Sequence, residues 1–253
     1  MSTAPQAPTP GERLPLRARK KLRTRQALID TALRLFTERG FDGVTLDELC
    51  DTVEVSKRTF FRTFTSKEDV AMAPTQDMWA AFLDDLETRD PRGGTLLEML
   101  RDALLAAIGA MTEEGWAERV RLSGRLAART PSMDAHGLQF CDRTCRTALD
   151  TLHRRLWLTD PAAPADRAAA PGPAAAPPPD PAGGPAGPAP LADLRPRLAL
   201  DLLIAVFHRA LENWTATPGS PTRDDLAALV REAYDAVPGS LTLRPAPRDP
   251  AGA

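Results

Sequence analysis

The sequence predicts an all-α protein of about nine helices, with an N-terminal three-helix helix-turn-helix domain and a larger C-terminal helical bundle. Apolar residues recur at helical spacing along most of the 253-residue chain, and no stretch predicts a strand. At the start of four of the predicted helices, a hydroxyl residue also precedes an acidic residue by three positions, which is the pattern of a helix N-terminus. These pairs are Thr45 with Glu48, Ser66 with Asp69, Thr95 with Glu98, and Thr222 with Asp225.

The first predicted helix covers residues 17–39. Its apolar residues recur three or four positions apart and therefore share one face. They are Leu28, Ile29, Ala32, Leu35 and Phe36. Gly40 follows directly, and we expect this glycine to end the helix in the left-handed conformation, which costs a glycine no Cβ clash.

Residues 45–64 predict two short helices joined by a tight turn. Thr45 opens the first of them and Ser56 caps the second. The apolar residues of the segment are expected to form the core of a small domain: Leu46, Leu49, Val53, Val55, Phe60 and Phe64. The second short helix also carries Lys57, Arg58, Thr59 and Arg62. A basic second helix is typical of a helix-turn-helix that enters the DNA major groove.

Six longer helices are predicted after this segment, over about 66–89, 95–112, 113–129, 130–158, 191–217 and 222–237. Residues 159–190 interrupt them, because 27 of these 32 residues are Ala, Pro or Gly and eleven are proline. This composition predicts a disordered insert. Residues 1–16 and 238–253 are predicted to be disordered tails. The expected domains are therefore 17–65, the helix-turn-helix domain, and 66–237, the helical bundle.

The charge of the chain is divided unevenly between its two parts. Residues 1–70 carry 13 Lys/Arg and 10 Asp/Glu, whereas residues 71–253 carry 19 and 24. A run of seven basic residues without an acid extends from Arg13 to Arg25. Such a basic arm on a mildly acidic body suits contact with phosphates, although it would also suit a solvated tail.

The remaining composition indicates a cytoplasmic protein without a disulfide framework. The chain has three cysteines, opens without a signal-like apolar segment, and contains no apolar run long enough to span a membrane. No acid–base pair or nucleophile constellation points to an enzyme, and no cofactor is predicted.

The ordered motifs over about residues 20–75 resemble the DNA-binding domain of TetR-type transcriptional regulators. The first-helix string from Ala32 to Phe41 matches that family, as does the Thr-led second helix at Thr45. The Val-Ser turn, the Thr-Phe-Phe recognition helix ending in Phe64, and the Ser-Lys-Glu start of the fourth helix match as well. The resemblance implies a homodimer formed through the last helices and a C-terminal domain that binds a small molecule.

The resemblance also implies which residues would contact an operator. Ser56 to Arg62 would enter the major groove, with Lys57, Arg58 and Thr59 reaching base edges and Arg62 reaching a base or a phosphate. Phe61 takes the place of the family's phosphate-reaching aromatic residue. Thr45 and Lys67 are expected to contact phosphate.

Three positions depart from the family pattern. Glu54 replaces the glycine that usually precedes the Val-Ser turn, Phe61 replaces a common tyrosine, and Thr63 replaces a His or Tyr. If the turn needs a positive φ, Glu54 costs roughly 1 kcal/mol relative to glycine.

Two other functions stay open at this point. One is a regulator of the same fold that a protein partner controls through the Ala/Pro insert. The other is a metal- or thiol-based site built from Cys141, Cys145, His136 and His153, although two small residues on a helix face explain the cysteines more simply. Cys50 is expected to be a packed side chain. The large ring-bearing residues of the bundle are candidates for core or pocket: Trp116, Phe140, Trp157, Phe207, His208 and Trp214.

Overall fold

The computed structural model describes residues 15–156 and 193–244, and within these ranges the chain is helical throughout, without a strand. Nine of the described helices have five residues or more, and α10 is a single four-residue turn. Their bounds are α1 Leu16–Arg39, α2 Leu46–Thr52, α3 Lys57–Phe61, α4 Lys67–Thr88, α5 Leu96–Ala110, α6 Trp116–Ala127, α7 Pro131–Arg155, α8 Arg195–Ala216, α9 Arg223–Asp235 and α10 Val237–Ser240. The predicted fold class is confirmed.

The first three helices and the start of α4 share one apolar core. The predicted inner face of α1 is buried, and Leu49, Phe60 and Phe64 from the following segment pack against it. Leu46, Val53 and Val55 are half-buried at its edge. Leu126 from α6 and Met133 from α7 complete this cluster, so the bundle closes the N-terminal core from one side.

A second core lies inside the bundle of α4 to α9. Helix α4 packs against α5 and α7, while α8 packs mainly against α9. Trp214 is fully buried in this core, and its indole Nε1–H donates to the Thr222 carbonyl at 2.8 Å. Trp79, Phe82 and Phe207 form edge-to-face ring pairs across α4 and α8. Helix α4 contributes to both cores and, together with α6 and α7, connects them.

The predicted caps are formed at Thr45, Thr95 and Thr222, each with a reciprocal bond from the acidic residue three positions on. At Ser66 only half of the expected box is present. The Ser66 hydroxyl accepts from the Asp69 N–H, but the Asp69 carboxylate accepts from the N–H and hydroxyl of Thr65. The acid therefore holds the loop one residue further from the helix.

Several helix ends differ from the prediction. Gly40 has the expected positive φ of 79°, but its ψ of 154° is outside the left-handed helical region, so the chain leaves α1 in an extended path. Helix α7 ends at Arg155, where the guanidinium donates to the Leu86 and Arg89 carbonyls. Helix α8 begins at Arg195, immediately before Pro196, which is tolerated in a first turn because no N–H is needed there.

Some predictions concern parts of the chain outside the described residues. These are the N-terminal tail to residue 14, the Ala/Pro insert 159–190, Trp157, and the C-terminal tail from residue 245. Of the predicted C-terminal tail, the described part includes the helical turn Val237–Ser240. None of the described helices combines the length and the apolar character needed to cross a bilayer.

Candidate nucleic-acid interface and ligand cavity

The turn between α2 and α3 is a Schellman motif, which sets the angle at which α3 leaves the domain. The Val55 N–H donates to the Cys50 carbonyl at 2.9 Å, and the Glu54 N–H donates to the Asp51 carbonyl at 3.1 Å. Glu54 occupies the left-handed position of this motif, with φ 56°. Among the described residues, every other positive φ belongs to a glycine. Residue 54, where the family pattern usually has glycine, therefore does adopt a conformation that favours glycine.

Helix α3 presents its first turn to solvent. Its cap is Ser56, whose hydroxyl accepts from the Thr59 N–H at 3.2 Å and lies 3.0 Å from the Thr59 hydroxyl. Arg58 and Arg62 are exposed. Lys57 pairs with Asp47 of α2 at 2.7 Å, and this hydrogen bond raises the pKa of the Lys57 ammonium. The pair braces α3 against α2 and leaves Arg58 as the freer cation of the first turn.

Phe61 is 56% exposed, an unusual position for a phenylalanine. Its ring meets the buried Phe60 ring edge-on with the centroids 5.5 Å apart. The exposed face can contact only an apolar or stacking partner, because Phe61 lacks a hydroxyl. A thymine methyl or a sugar fits this surface.

Thr45 is engaged in its capping box. Its hydroxyl accepts from the Glu48 N–H at 3.2 Å and donates to the Glu48 carboxylate at 2.9 Å, while its N–H donates to the same carboxylate. These bonds lower the pKa of Glu48, with the Thr45 backbone N–H as the largest cause. A phosphate contact by the Thr45 hydroxyl would have to displace the Glu48 carboxylate.

Lys67 has a structural role that sequence reasoning did not find. Its ammonium donates to the carbonyls of Phe41 and Val44 at 2.9 and 2.8 Å, and lies 4.6 Å from the centre of the Phe41 ring. Lysine has three N–H donors, so one is left for a phosphate. Lys67 thus ties the start of α4 to the loop between α1 and α2.

The basic arm continues into the first turns of α1, which lie beside α3. A groove of about 400 Å³ runs between them. Its lining residues are Arg17, Lys20, Lys21, Thr24, Thr59, Arg62 and Thr63. Arg25 is different, because its guanidinium makes two 2.7 Å bonds to Asp77 of α4 and lies over the Phe64 ring. Three cations of the arm, Arg17, Lys20 and Lys21, therefore line the same groove as α3, whereas Arg25 holds α1 to α4.

A cavity of about 290 Å³ lies inside the bundle among α4, α6, α7 and α8. Its wall is mostly apolar, and Trp79 and Phe82 line it from α4. Phe140 and Phe207 from the predicted ring set line it too, as does His208, whose pKa is lowered by burial. Trp116 and Trp214, by contrast, belong to the core. The volume is close to the lower end of that of small-molecule sites.

The α4 residues of the cavity wall were missed by sequence reasoning. Met72, Thr75 and Gln76 line it besides Trp79. Their spacing of three and four positions is visible in the sequence, but the same spacing describes any inward face of a helix. Pro74 lies between Met72 and Thr75 of this wall and removes one N–H from the α4 hydrogen-bond ladder, while its carbonyl accepts from the Trp116 indole at 2.9 Å.

The residues suggested for a metal site do not assemble into one. Cys141 and Cys145 lie close together, with their sulfurs 4.0 Å apart. His136 instead lies 3.3 Å from Gln76 and 3.9 Å from Asp69. Within the described ranges no three His, Cys, Asp or Glu side chains form a group that could hold a metal ion. Cys50 is buried in the N-terminal core, and burial raises the pKa of its thiol.

Residues 28–73 match the family model for bacterial regulatory proteins of the tetR family. This part of the chain belongs to the TetR family of bacterial regulatory proteins. Its matched relatives include the HTH-type transcriptional regulator TcmR of Streptomyces glaucescens, 40% identical over 128 residues, which are 49% of this chain and 56% of TcmR. The negative transcriptional regulator of the biofilm operon icaADBC, IcaR of Staphylococcus epidermidis, is 32% identical over 59 residues, 23% of this chain and 32% of IcaR.

The match therefore spans about half the length of TcmR and a third of IcaR. This chain also resembles a solved structure from Syntrophomonas wolfei, whose title calls it a putative TetR-family transcriptional regulator. The match covers 88% of this chain and 99% of that one. It is 15% identical with a TM-score of 0.50, so it supports the TetR-family fold over both parts of the chain.

Proposed function

We propose that this TetR-family protein is a cytoplasmic homodimeric repressor that binds a palindromic operator and releases it when a small apolar molecule occupies the cavity. The observation that carries this proposal is the position of α4. Its first turn is tied by Lys67 to the helix-turn-helix domain, and its next turns line the cavity. A ligand that favours one position of α4 would thereby favour one spacing of the two recognition helices.

The proposed DNA contacts follow from exposure and charge. Arg58 and Arg62 extend from α3 without an ion pair in the described part of the chain, and the α1 groove adds Arg17, Lys20 and Lys21. Arg58 would read a base edge, and Arg62 with the α1 cations would hold phosphates. Ser56, Lys57, Thr59 and Phe61 complete the groove-facing surface, while Thr45 and Lys67 lie at its margin.

The test is binding of the purified chain to its own upstream DNA and to random DNA of equal length. Arg58→Ala should weaken specific binding by about 1–3 kcal/mol, roughly 5- to 150-fold, and nonspecific binding much less. Arg92→Ala removes an exposed arginine of the loop between α4 and α5, away from α3 and from the last helices, and serves as the control. An equal loss on both DNAs, or no preference for the upstream DNA in the unmodified chain, would contradict the assignment.

The dimer can be tested on the same DNA. A footprint should show two half-sites about 34 Å apart or a multiple of that distance, because each subunit would present one α3 to the major groove on one face of the duplex. A single protected half-site, with one chain bound per DNA, would contradict the homodimer.

A dye-binding experiment on the cavity distinguishes regulation by a small molecule from regulation by a protein partner. The neutral dye N-phenyl-1-naphthylamine should fluoresce more strongly on binding the cavity. Ile204→Trp should abolish this signal by filling the space from α8, whereas Ile204→Leu should preserve it. We expect the dye to release upstream DNA from the Ile204→Leu variant but not from the Ile204→Trp variant. Equal behaviour of the two variants would favour the protein-partner alternative.

A further inference from the structure

Helix α7 places two thiols side by side in the wall of the cavity. Cys141 and Cys145 are one helical turn apart, and their sulfurs lie 4.0 Å from each other. Cys145 is 2% exposed, whereas Cys141 is half-buried, so Cys141 is the more accessible of the two. The surrounding wall is apolar, with Phe140 from the same helix and Leu200 from α8.

The two thiols differ in acidity because one donates to the other. A hydrogen bond from Cys145 lowers the pKa of Cys141 to about 7, and the same bond raises the pKa of Cys145. The charged groups facing the pair are Arg197, which favours the thiolate, and Asp201 and Asp142, which oppose it. The cavity residues contributed by α4 and α6 carry no charge, and Asp134 and His208 are the other titratable groups of the wall.

The helix prevents the simplest reaction of such a pair. Residues one turn apart on a helix have Cβ atoms about 5–6 Å apart. A disulfide needs about 3.5–4.5 Å, so Cys141 and Cys145 could form one only if α7 unwound. The pair is therefore built to keep a thiolate beside a thiol and not to become oxidised internally.

We propose that Cys141 and Cys145 form a covalent site for small apolar electrophiles of the enone class that enter the cavity. The Cys141 thiolate attacks the β-carbon of the enone, forming a C–S bond. The electron pair of the C=C bond moves to the carbonyl, giving an enolate. The enolate takes the proton of the Cys145 thiol, which is restored from water, and the product is a saturated ketone bound to Cys141. No oxidant or reductant is needed.

The inference deepens the proposed function, because it gives the chemical class of one effector of the same cavity. Its measurement is nevertheless independent of DNA. If the chain fails to prefer its upstream DNA, the proposed function fails, while adduct formation at Cys141 is still read directly from the mass of the protein.

The experiment treats the folded full chain with 2-cyclohexen-1-one and locates the adduct by peptide mass spectrometry. One adduct should form, at Cys141, and Cys141→Ser should abolish it. Cys50 provides an internal control, because its thiol is buried in the other core. Saturated cyclohexanone should add no mass. Modification of Cys50 or Cys145 at a rate equal to that of Cys141 would overturn the assignment.

The role of Cys145 is tested by the pH profile of the rate. The unmodified chain should show a midpoint near pH 7, the pKa of Cys141. In Cys145→Ala the donor is lost while the burial that raises the pKa of Cys141 remains, so the midpoint should rise to about 8.5 or above. At pH 7 the thiolate fraction of Cys141 then falls about sixteenfold. The more basic thiolate is about fivefold more nucleophilic, so the rate of adduct formation should fall roughly threefold.

Cys145→Ser should restore the lower midpoint, because its hydroxyl can donate in place of the thiol. An unchanged profile in Cys145→Ala would overturn the role of the pair. A rise in the serine variant as large as that in the alanine variant would do the same.

Discussion

Glu54 lies at the one place in the described chain where a residue other than glycine has a positive φ, and replacing it should stabilise the protein. In the Schellman turn after α2, the Glu54 Cβ is held in a conformation that costs an L-residue roughly 1–2 kcal/mol. Glu54→Gly removes this cost. The unfolded chain of the variant gains conformational freedom, which reduces the gain in the free energy of unfolding by about 0.4–1 kcal/mol.

The net effect should be a gain of about 0.5–1 kcal/mol in the free energy of unfolding. For a chain of this length, 1 kcal/mol corresponds to about 2–4 °C in Tm. The measurement is urea unfolding followed by circular dichroism, together with a thermal scan. Both hydrogen bonds of the turn should persist, because they involve only backbone atoms.

Glu54→Ala is the matched control. It removes the same carboxylate near the C-terminal end of α2 but keeps the Cβ, so any gain from the charge alone appears in both variants. The difference between the glycine and alanine variants isolates the backbone conformation. Equal unfolding midpoints for the two variants would refute the claim that residue 54 needs a positive φ.

Two further substitutions test the contacts that hold α4. Lys67→Met should lower the free energy of unfolding by about 1–3 kcal/mol, because the carbonyls of Phe41 and Val44 lose a charged donor. Unchanged stability with weaker DNA binding would show that Lys67 acts only on phosphate. Trp116→Phe should cost a similar amount, because it removes the indole hydrogen bond to the Pro74 carbonyl and part of a buried ring, and thermal unfolding of the variant measures this. A loss of less than about 0.5 kcal/mol would mean that water replaces the indole.

The starts of several helices, including the first helix of the helix-turn-helix, were predictable because their signals are local. A hydroxyl three positions before an acid caps a helix through neighbouring atoms, and Thr45, Thr95 and Thr222 all form the expected box. Ser66 shows where this reasoning fails, since Asp69 had a second partner, the Thr65 N–H, at nearly the same distance along the chain.

The distant contacts were not predictable in the same way. Nothing local indicates that Lys67 meets carbonyls 23 and 26 positions earlier, or that Arg25 meets Asp77 and not phosphate. An exposed lysine and a paired lysine have the same sequence signature, because their difference depends on which helix packs nearby.

The sequence by itself therefore determined the all-α fold class, the order of most helices and the family of the N-terminal domain, because hydrophobic spacing, capping pairs and turn residues act over a few positions. It also marked Glu54 as the residue that would be strained if the turn needed a positive φ, and the structure supplied that φ of 56°. Only the tertiary structure decided that α4, α6, α7 and α8 enclose a cavity, and that Cys141 and Cys145 lie in its wall and not in a metal site. A cavity is space left between helices, and its shape depends on how side chains distant in sequence pack together.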